Sequence, residues 1–325
     1  MLLASAAMYR SKKFPLFHQS STLLAVLALA LVPQTGSARD PITGSQGLTF
    51  TGSTGTLPYR LYSPTTAEPS ATTPVILFLH GAGERGTNNT SQVSGHIQGL
   101  IDATESGAFS AYLIAPQCPT NDQWTNVAFG TGSYNNPTLS TPAVTNPLRL
   151  ALELIDQFIA NNSNVDPSRI YITGLSMGGY GTFDAVARRP GLFAAAVPMS
   201  GGGNLSFAST YKNIPLWAFH GAVDSVVPAS GSRNTISAIE NAGGTLERYT
   251  ELVGQNHVIW GPIYNNGTYQ YDTNYTTTGG YVPDASGSIY PWLFAQQIPE
   301  PSAAVFLSTG AALLGFRCRR RVTTA

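Results

Sequence analysis

Residues 170–181 read IYITGLSMGGYG, so a run rich in β-branched residues passes directly into the pentapeptide Gly-Leu-Ser-Met-Gly and then into small residues. This pattern is typical of a nucleophile elbow, a sharp strand-to-helix turn that lifts a serine hydroxyl above the edge of a sheet. The glycines at 174 and 178 suit such a turn because it leaves no room for side chains on either side of the serine. We therefore predict that Ser176 is a catalytic nucleophile.

The chain order that accompanies this elbow is nucleophile, acid, histidine. Of the five histidines, His257 alone follows both Ser176 and a plausible acid. Asp224 comes four residues after an apolar run, on the expected loop at the carboxyl end of a strand, where open α/β sheets collect catalytic groups. The competing acids lie on a predicted helix or strand: Glu240, Glu247 and Glu251. Taken singly, His257 is more typical of a surface loop residue and Asp224 of a turn former, but their order together favours a triad with Ser176.

A second glycine-rich segment, HGAGERG at residues 80–86, follows the fully apolar run 75–79 of a buried parallel strand. Glycine lets backbone amides approach a reacting oxygen, so we predict an oxyanion hole formed by the amides of Met177 and Ala82. One alternative is an ordinary strand-to-helix turn. The other, a phosphate-binding loop, loses support because neither G-x-x-x-x-G-K-[ST] nor G-x-G-x-x-G occurs in the chain.

Strand-like and helical runs alternate along the chain. An edge hairpin is predicted at 48–50 and 59–62, and the strands of a central sheet at 75–79, 112–115, 170–173, 194–199, 216–219 and 246–251. Helices are predicted at 146–159, with Asn146 as N-cap and Pro147 at the first helical position, at 178–189 and at 230–241. The expected fold is therefore α/β, a single domain with a mostly parallel central sheet and helices on both faces.

Composition excludes several classes of function. Residues 39–298, the expected catalytic domain, carry 10 Lys and Arg against 16 Asp and Glu, a net charge of −6 that argues against nucleic-acid binding. The two cysteines, Cys118 and Cys318, lie in different segments, so we expect no structural disulfide and a buried, packed Cys118. No paired-cysteine or H-x-x-x-H motif occurs, so we expect neither a metal site nor a cofactor.

The first 38 residues have the pattern of a secretory signal peptide. Three basic residues precede an apolar core at 22–32, and Gly-Ser-Ala at 36–38 suits a cleavage site. An apolar core of eleven residues is too short to span a bilayer, which disfavours a membrane anchor. We expect export through the secretory pathway.

The last 27 residues, 299–325, begin with Pro-Glu-Pro, continue with the apolar segment 302–316 and carry four arginines within 317–321. This order resembles the PEP-CTERM sorting signal of bacterial exopolysaccharide producers. The resemblance implies that the tail holds the protein in the membrane until an exosortase-type enzyme processes it. The arginines would then face the cytoplasm and the catalytic domain would face outward, at the cell envelope or surface.

Motifs spread over residues 75–260 carry a second resemblance. They comprise the loop 80–86, APQCP at 115–119 with Trp124, DPSRIY at 166–171, FHGAVD at 219–224, and Asn256-His257 with Trp260. Together they resemble the α/β-hydrolase superfamily, in particular secreted feruloyl and acetylxylan esterases, polyhydroxybutyrate depolymerases and related predicted peptidases. The resemblance implies a serine esterase. We take the aromatic residues Trp124, Trp260 and Tyr264 as candidate substrate contacts.

The segment 265–288, rich in Tyr, Thr, Asn and Gly, departs from this family pattern. It is either a wall whose aromatic rings stack on a sugar or phenolic ring, or a surface loop without a role in substrate choice. The function predicted from the sequence is hydrolysis of carboxylic esters, on polysaccharide-linked or other small acyl esters. The alternatives are a serine peptidase with the same triad and, outside enzymes, a non-catalytic carbohydrate-binding surface protein.

Overall fold

A computed structural model describes residues 39–65, 72–94, 96–105, 107–135, 143–265, 275–278 and 288–299. The predicted signal peptide, the sorting tail from residue 300 and most of the segment 265–288 lie outside these residues. Within the described part of the chain, none of the helices combines the length and the apolar character needed to cross a membrane.

The described strands form one sheet of nine, in the order β1-β2-β4-β3-β5-β6-β7-β8-β9. Their bounds are β1 Gln46–Gly52, β2 Gly55–Tyr62, β3 Thr73–Leu79, β4 Tyr112–Pro116, β5 Val165–Leu175, β6 Ala195–Met199, β7 Leu216–Gly221, β8 Glu247–Leu252 and β9 Tyr275–Thr278. The six strands from β4 to β8 in this order are parallel, and β1, β2 and β9 pair antiparallel at the two edges. The predicted α/β fold and the edge hairpin are confirmed.

Helices cover both faces of the sheet. They are α1 Gln98–Glu105, α2 Asn146–Asn161, α3 Met177–Arg188, α4 Ala208–Tyr211, α5 Ser230–Asn241, α6 Trp260–Tyr264 and α7 Tyr290–Phe294. The three predicted long helices correspond to α2, α3 and α5. One detail was wrong: the N-cap of α2 is Thr145, whose backbone is extended, and Asn146 is already the first helical residue.

The segment 265–288 contributes one strand to the sheet. The sequence did not predict this strand, because the segment lacks the alternating pattern of a strand. Four of its described residues, Tyr275–Thr278, form β9, which pairs antiparallel with β8 so that Tyr275 lies opposite Leu252. A short edge strand needs only backbone hydrogen bonds on one side and leaves little trace in the sequence.

The central strand β3 shows how the two faces are packed. All seven of its residues are buried, as expected for a parallel strand covered on both sides. Val75, Leu77 and Leu79 pack in the cluster that includes α2, α3 and α5, whereas Ile76 and Phe78 pack in the cluster that includes α1, α6 and α7. The two apolar layers hold the carboxyl ends of β3, β5, β7 and β8 along one edge of the sheet.

The last described residues return to the amino ends of the parallel strands, opposite the edge that carries Ser176. The amide of Ile298 donates to the carbonyl oxygen of Ser168 at 2.9 Å, near the amino end of β5. The Tyr171 hydroxyl donates to the carbonyl oxygen of Gln296 at 3.0 Å. The chain therefore leaves the described domain beside the start of β5, whereas Ser176 follows the end of the same strand.

Candidate active site

Ser176 lies between β5 and α3 with φ 54° and ψ −118°, a strained conformation for a residue other than glycine. Close backbone packing surrounds the turn. A Cβ atom on Gly178 would collide with the carbonyl of Leu79, and one on Gly174 would collide with the carbonyl of Gly178. These contacts explain why glycine stands at both positions, and they confirm the strand, turn and helix predicted from the pentapeptide.

His257 and Asp224 lie beside Ser176 at the carboxyl edge of the sheet. His257 Nε2 is 2.9 Å from Ser176 Oγ, and His257 Nδ1 is 2.7 Å from Asp224 Oδ2. Because a carboxylate only accepts, Nδ1 carries the proton and Nε2 of the neutral ring can accept the serine proton. The structure thus brings together the three residues that chain order selected. Among the competing acids, Glu251 pairs with Arg233 at 2.7 Å.

The side chain of Asp224 is fully buried yet well supplied with donors. Its Oδ1 accepts hydrogen bonds from the amides of Val226 at 2.8 Å and Val227 at 2.9 Å. Burial alone raises the pKa of Asp224, but hydrogen bonds from His220, His257 and these two amides outweigh it and hold the pKa well below its usual range. Asp224 is therefore an anion throughout the neutral range.

The loop that carries His257 is held by three contacts. The His257 amide donates to Asn256 Oδ1 at 2.7 Å, and its carbonyl accepts from Ser200 Oγ at 3.0 Å. The imidazole ring meets Trp260 edge to face, with centroids 5.4 Å apart. These contacts restrict the ring to the orientation that joins Ser176 and Asp224.

The two amides predicted for the oxyanion hole lie at the elbow and on the loop beside it. Met177 is the first residue of α3 and Ala82 the first residue of a short 3₁₀ turn, positions whose amides have no acceptor within their own helix. A Cβ atom added to Gly81 would lie 3.6 Å from Ser176 Cβ, so this loop runs alongside the serine. Arg85 Nε donates to the carbonyl oxygen of Ala82 at 2.9 Å and fixes the loop.

His80 is a brace of that loop. Its ring is completely buried, and burial lowers the pKa of His80 to about 4, so the ring is neutral. Nε2 accepts from the amide of Cys118 at 2.9 Å, which leaves Nδ1 to donate to the carbonyl oxygen of Gly81 at 2.6 Å. Both ring nitrogens are thus committed to the backbone around the oxyanion loop.

The candidate substrate contacts need correction. Trp124 is fully buried and donates through Nε1 to the carbonyl oxygen of His80 at 2.9 Å. Tyr264 is fully buried as well, and its hydroxyl bonds to Thr173 Oγ1 at 2.8 Å. Both rings belong to the core because their polar atoms find partners inside the protein. Trp260, by its contact with His257, is the one of the three that lies against the triad.

Sequence reasoning missed three residues that organise the site: His220, Ser200 and Asn256. Asn256 could have been found, since it directly precedes His257. His220 was set aside as a base because it precedes the acid, and no pattern in the sequence shows that its ring reaches a carboxylate. Ser200 becomes visible only when β6 is placed beside β7.

Other titratable groups add no second centre within the described residues. Among them, no group of three or more His, Cys, Asp or Glu side chains is arranged to hold a metal ion. Cys118 is a buried free thiol, and burial raises the pKa of this thiol. It packs as the small apolar residue that the sequence predicted.

The chain is similar in sequence to known esterases. Residues 54–280 match the model of a family described as "Putative esterase". A stretch of 170 residues is 27% identical to the bifunctional acetylxylan esterase/xylanase of Neocallimastix patriciarum and covers 52% of this chain and 21% of that protein. A stretch of 50 residues is 46% identical to poly(3-hydroxyalkanoate) depolymerase C of Paucimonas lemoignei, covering 15% and 12%.

Among solved structures, a thermostable esterase superposes with a TM-score of 0.64 at 34% identity, covering 79% of this chain and 64% of that one. The chain spans about a fifth and an eighth of the length of the two curated relatives and less than two thirds of the solved structure.

We expect Ser176→Ala to lower kcat for ester hydrolysis by ~10³-fold or more while the protein stays folded, because the change removes one hydroxyl from a half-buried turn and no apolar group from the core. His257→Ala should remove activity as completely. Steady-state kinetics with p-nitrophenyl acetate, beside melting temperatures of both variants, provide the measurement. A Ser176→Ala protein with more than a tenth of the wild-type rate would refute this nucleophile.

The pH profile of kcat/KM should show one ionisation on its acid side. His257 accepts the serine proton only when its ring is unprotonated, so activity should be present at neutral pH and lost as pH falls. The lowered pKa of Asp224 keeps that carboxylate ionised over the same range, so it should add no second step. A stepwise acid limb would contradict this, and Asp224→Asn should lower kcat by roughly 10⁴-fold because it allows the wrong tautomer of His257.

Proposed function

The chain belongs to this esterase family, a group of carboxylic ester hydrolases, and on that premise we propose that it cleaves esters with Ser176 as nucleophile, His257 as general base and Asp224 as the residue that orients His257. The observation that carries the proposal is the continuous pair of contacts, 2.9 Å and 2.7 Å, that joins the three side chains.

The first half-reaction follows from these contacts. His257 Nε2 takes the Ser176 proton while Oγ attacks the ester carbonyl, and the new oxyanion lies between the amides of Met177 and Ala82. Asp224 stabilises the imidazolium that forms. The imidazolium then returns its proton to the leaving alcohol, and the acyl group stays on Ser176.

The second half-reaction repeats the proton transfers with water. His257 removes a proton from water as the water oxygen attacks the acyl carbonyl, and it returns that proton to Ser176 Oγ as the acid leaves. This chemistry needs no group beyond the triad, the two amides and water.

The two loops beside the triad are suited to contact an uncharged substrate. Residues 222–228 and 253–258 form two loops that share hydrogen bonds, including Val223 N to Gln255 O at 3.0 Å. Four valines of these loops are 53–61% exposed: Val223, Val226, Val253 and Val258. Asp224 is the one acidic or basic residue of either loop, apart from His257, and its side chain is buried. An uncharged acyl ester can lie on such a surface without losing the hydration of a charged group.

We infer that the substrates are small acyl esters, including those linked to polysaccharides. The first relative above supports this by its name, since that protein is a bifunctional acetylxylan esterase/xylanase. A serine peptidase would use the same triad, but it must also protonate an amine leaving group and bind an extended chain. A non-catalytic carbohydrate-binding protein would have no need of the aligned Ser176, His257 and Asp224.

A panel of substrates tests this proposal. We expect turnover of p-nitrophenyl acetate and butyrate, and release of acetate from acetylated xylan or of ferulate from methyl ferulate, with a dipeptide amide left intact. Ser176→Ala serves as the control for contaminating esterases. Cleavage of the amide with no ester turnover would make the protein a peptidase, and inactivity on every substrate would refute the enzymatic proposal.

We also propose that the protein is exported and held at the envelope by its tail until an exosortase-type enzyme acts. The support is the pattern of residues 1–38 and 299–325 described above. Mass spectrometry of the envelope and culture fractions should find a mature N-terminus after residue 38. Leu27→Arg, inside the apolar core, should retain the precursor in the cytoplasm because it breaks that core, whereas Leu2→Arg, outside it, should not. Export that survives Leu27→Arg would contradict the signal peptide.

A further inference from the structure

A second histidine lies against the triad acid. His220, in β7, is fully buried, and its Nε2 is 3.2 Å from Asp224 Oδ2, the same oxygen that meets His257. The same Nε2 is 3.1 Å from the carbonyl oxygen of Val227, and Nδ1 is 2.8 Å from Ser232 Oγ. The catalytic scheme above does not use this residue.

The partners of His220 decide where its proton lies. Carboxylate and carbonyl oxygens only accept hydrogen bonds, so Nε2 carries the hydrogen, which bonds to Val227 O and lies near enough to Asp224 Oδ2 to be shared with it. The Ser232 hydroxyl can donate to Nδ1 of a neutral ring, or it can accept from Nδ1 of a charged ring and donate to the carbonyl oxygen of Gly201 at 3.1 Å. In both states Nε2 donates toward Asp224.

Both carboxylate oxygens of Asp224 then face hydrogen-bond donors. Val226 and Val227 amides occupy Oδ1, while His257 and His220 occupy Oδ2. A carboxylate held from both sides cannot rotate about its Cβ–Cγ bond without losing a hydrogen bond inside the protein, where an unmade bond is costly.

The chain of contacts continues toward the nucleophile. Gly201, which can accept from Ser232, packs on the first turn of α3: a Cβ atom on Gly201 would lie 2.6 Å from Gly179 C and 2.7 Å from Tyr180 N. That turn directly follows Ser176. His220 therefore connects the acid with the backbone that carries the serine.

A second acidic residue near His220 lies on β8. Glu251 is its partner across the β7–β8 register, and its carboxylate is bound by Arg233 at 2.7 Å and by the hydroxyl of Tyr249 at 2.5 Å. Glu251 thus has hydrogen-bond donors of its own, and Asp224 is the carboxylate that lies 3.2 Å from His220 Nε2.

We propose that His220 is a positioning residue for Asp224, whose Nε2–H holds Oδ2 at the point where it meets His257 Nδ1. The inference rests on the proposed function, since it concerns the same triad. The competing explanation is structural: His220 would brace the Asp224 loop through Val227 alone, with no effect on the carboxylate.

Two amide substitutions separate these explanations. Gln places an NH₂ group near the position of Nε2, whereas Asn reaches only the position of Nδ1. We expect His220→Asn to lower kcat roughly 10- to 100-fold with KM nearly unchanged, the range of a hydrogen bond to a charged group. His220→Gln should stay within about threefold of wild type. If His220 is only a structural brace, His220→Asn and His220→Gln should have the same kcat when both are assayed well below their melting temperatures.

The pH profile supplies an independent readout. Without the His220 donor the Asp224 carboxylate becomes more basic and holds the protonated form of His257 more firmly. The acid limb of kcat/KM for His220→Asn should therefore move to higher pH, and that of His220→Gln should not. In an Asp224→Asn background, His220→Asn should add little further loss, because the two residues act through one contact.

The outcomes are distinguishable from a failure of the proposed function. If the wild-type protein hydrolyses p-nitrophenyl acetate and His220→Asn is equally active with an unmoved acid limb, the positioning role is refuted and the esterase proposal stands. If His220→Asn does not fold, Ser232→Ala replaces it, since it removes the hydroxyl that orients the ring. We then expect a loss in kcat of roughly 2- to 10-fold at unchanged KM, and wild-type kcat for Ser232→Ala would overturn the inference.

Discussion

The left-handed backbone of Ser176 is the constraint on which the site depends. A serine pays for this conformation in strain, and the surrounding backbone maintains it because the first turn of α3 lies against the end of β3 with no side chain between them. The Ser176 amide donates to Met199 and its carbonyl accepts from Gly179, so the turn is bound on both sides. The buried, two-faced sheet is what makes this backbone rigid enough to hold the strain.

The site also depends on the negative charge of Asp224. A fully buried carboxylate would ordinarily favour its neutral form, yet Asp224 is kept ionised by donors that come from its own loop, from β7 and from the His257 loop. The charge is therefore maintained by the fold as a whole, and the orientation of His257 follows from it. Neutral His80, by contrast, only fixes the backbone around the oxyanion loop. Its buried ring donates one hydrogen bond, accepts another and carries no charge.

The sequence was most informative where a residue type answers to one physical requirement. The glycines around Ser176 and the apolar run of β3 predicted the elbow and the central strand, and chain order selected His257 and Asp224. Trp124 and Tyr264 were misjudged because an aromatic residue near a motif looks the same whether its ring faces substrate or core. His220 and Ser200 act through contacts between strands distant in sequence, and such contacts have no local pattern. The strand β9 was missed since an edge strand of four residues needs only backbone pairing.

The return of the chain to the start of β5 has a practical consequence. Ser168, which binds the Ile298 amide, lies seven residue steps along β5 from Leu175 beside the nucleophile, a distance of roughly 23 Å at 3.3 Å per residue. A bead, an electrode or a fluorophore joined by a short linker after residue 299 would stand at the far edge of the sheet from Ser176. The domain is thus built so that it can be immobilised by its C-terminal end with its reactive edge turned toward the solution.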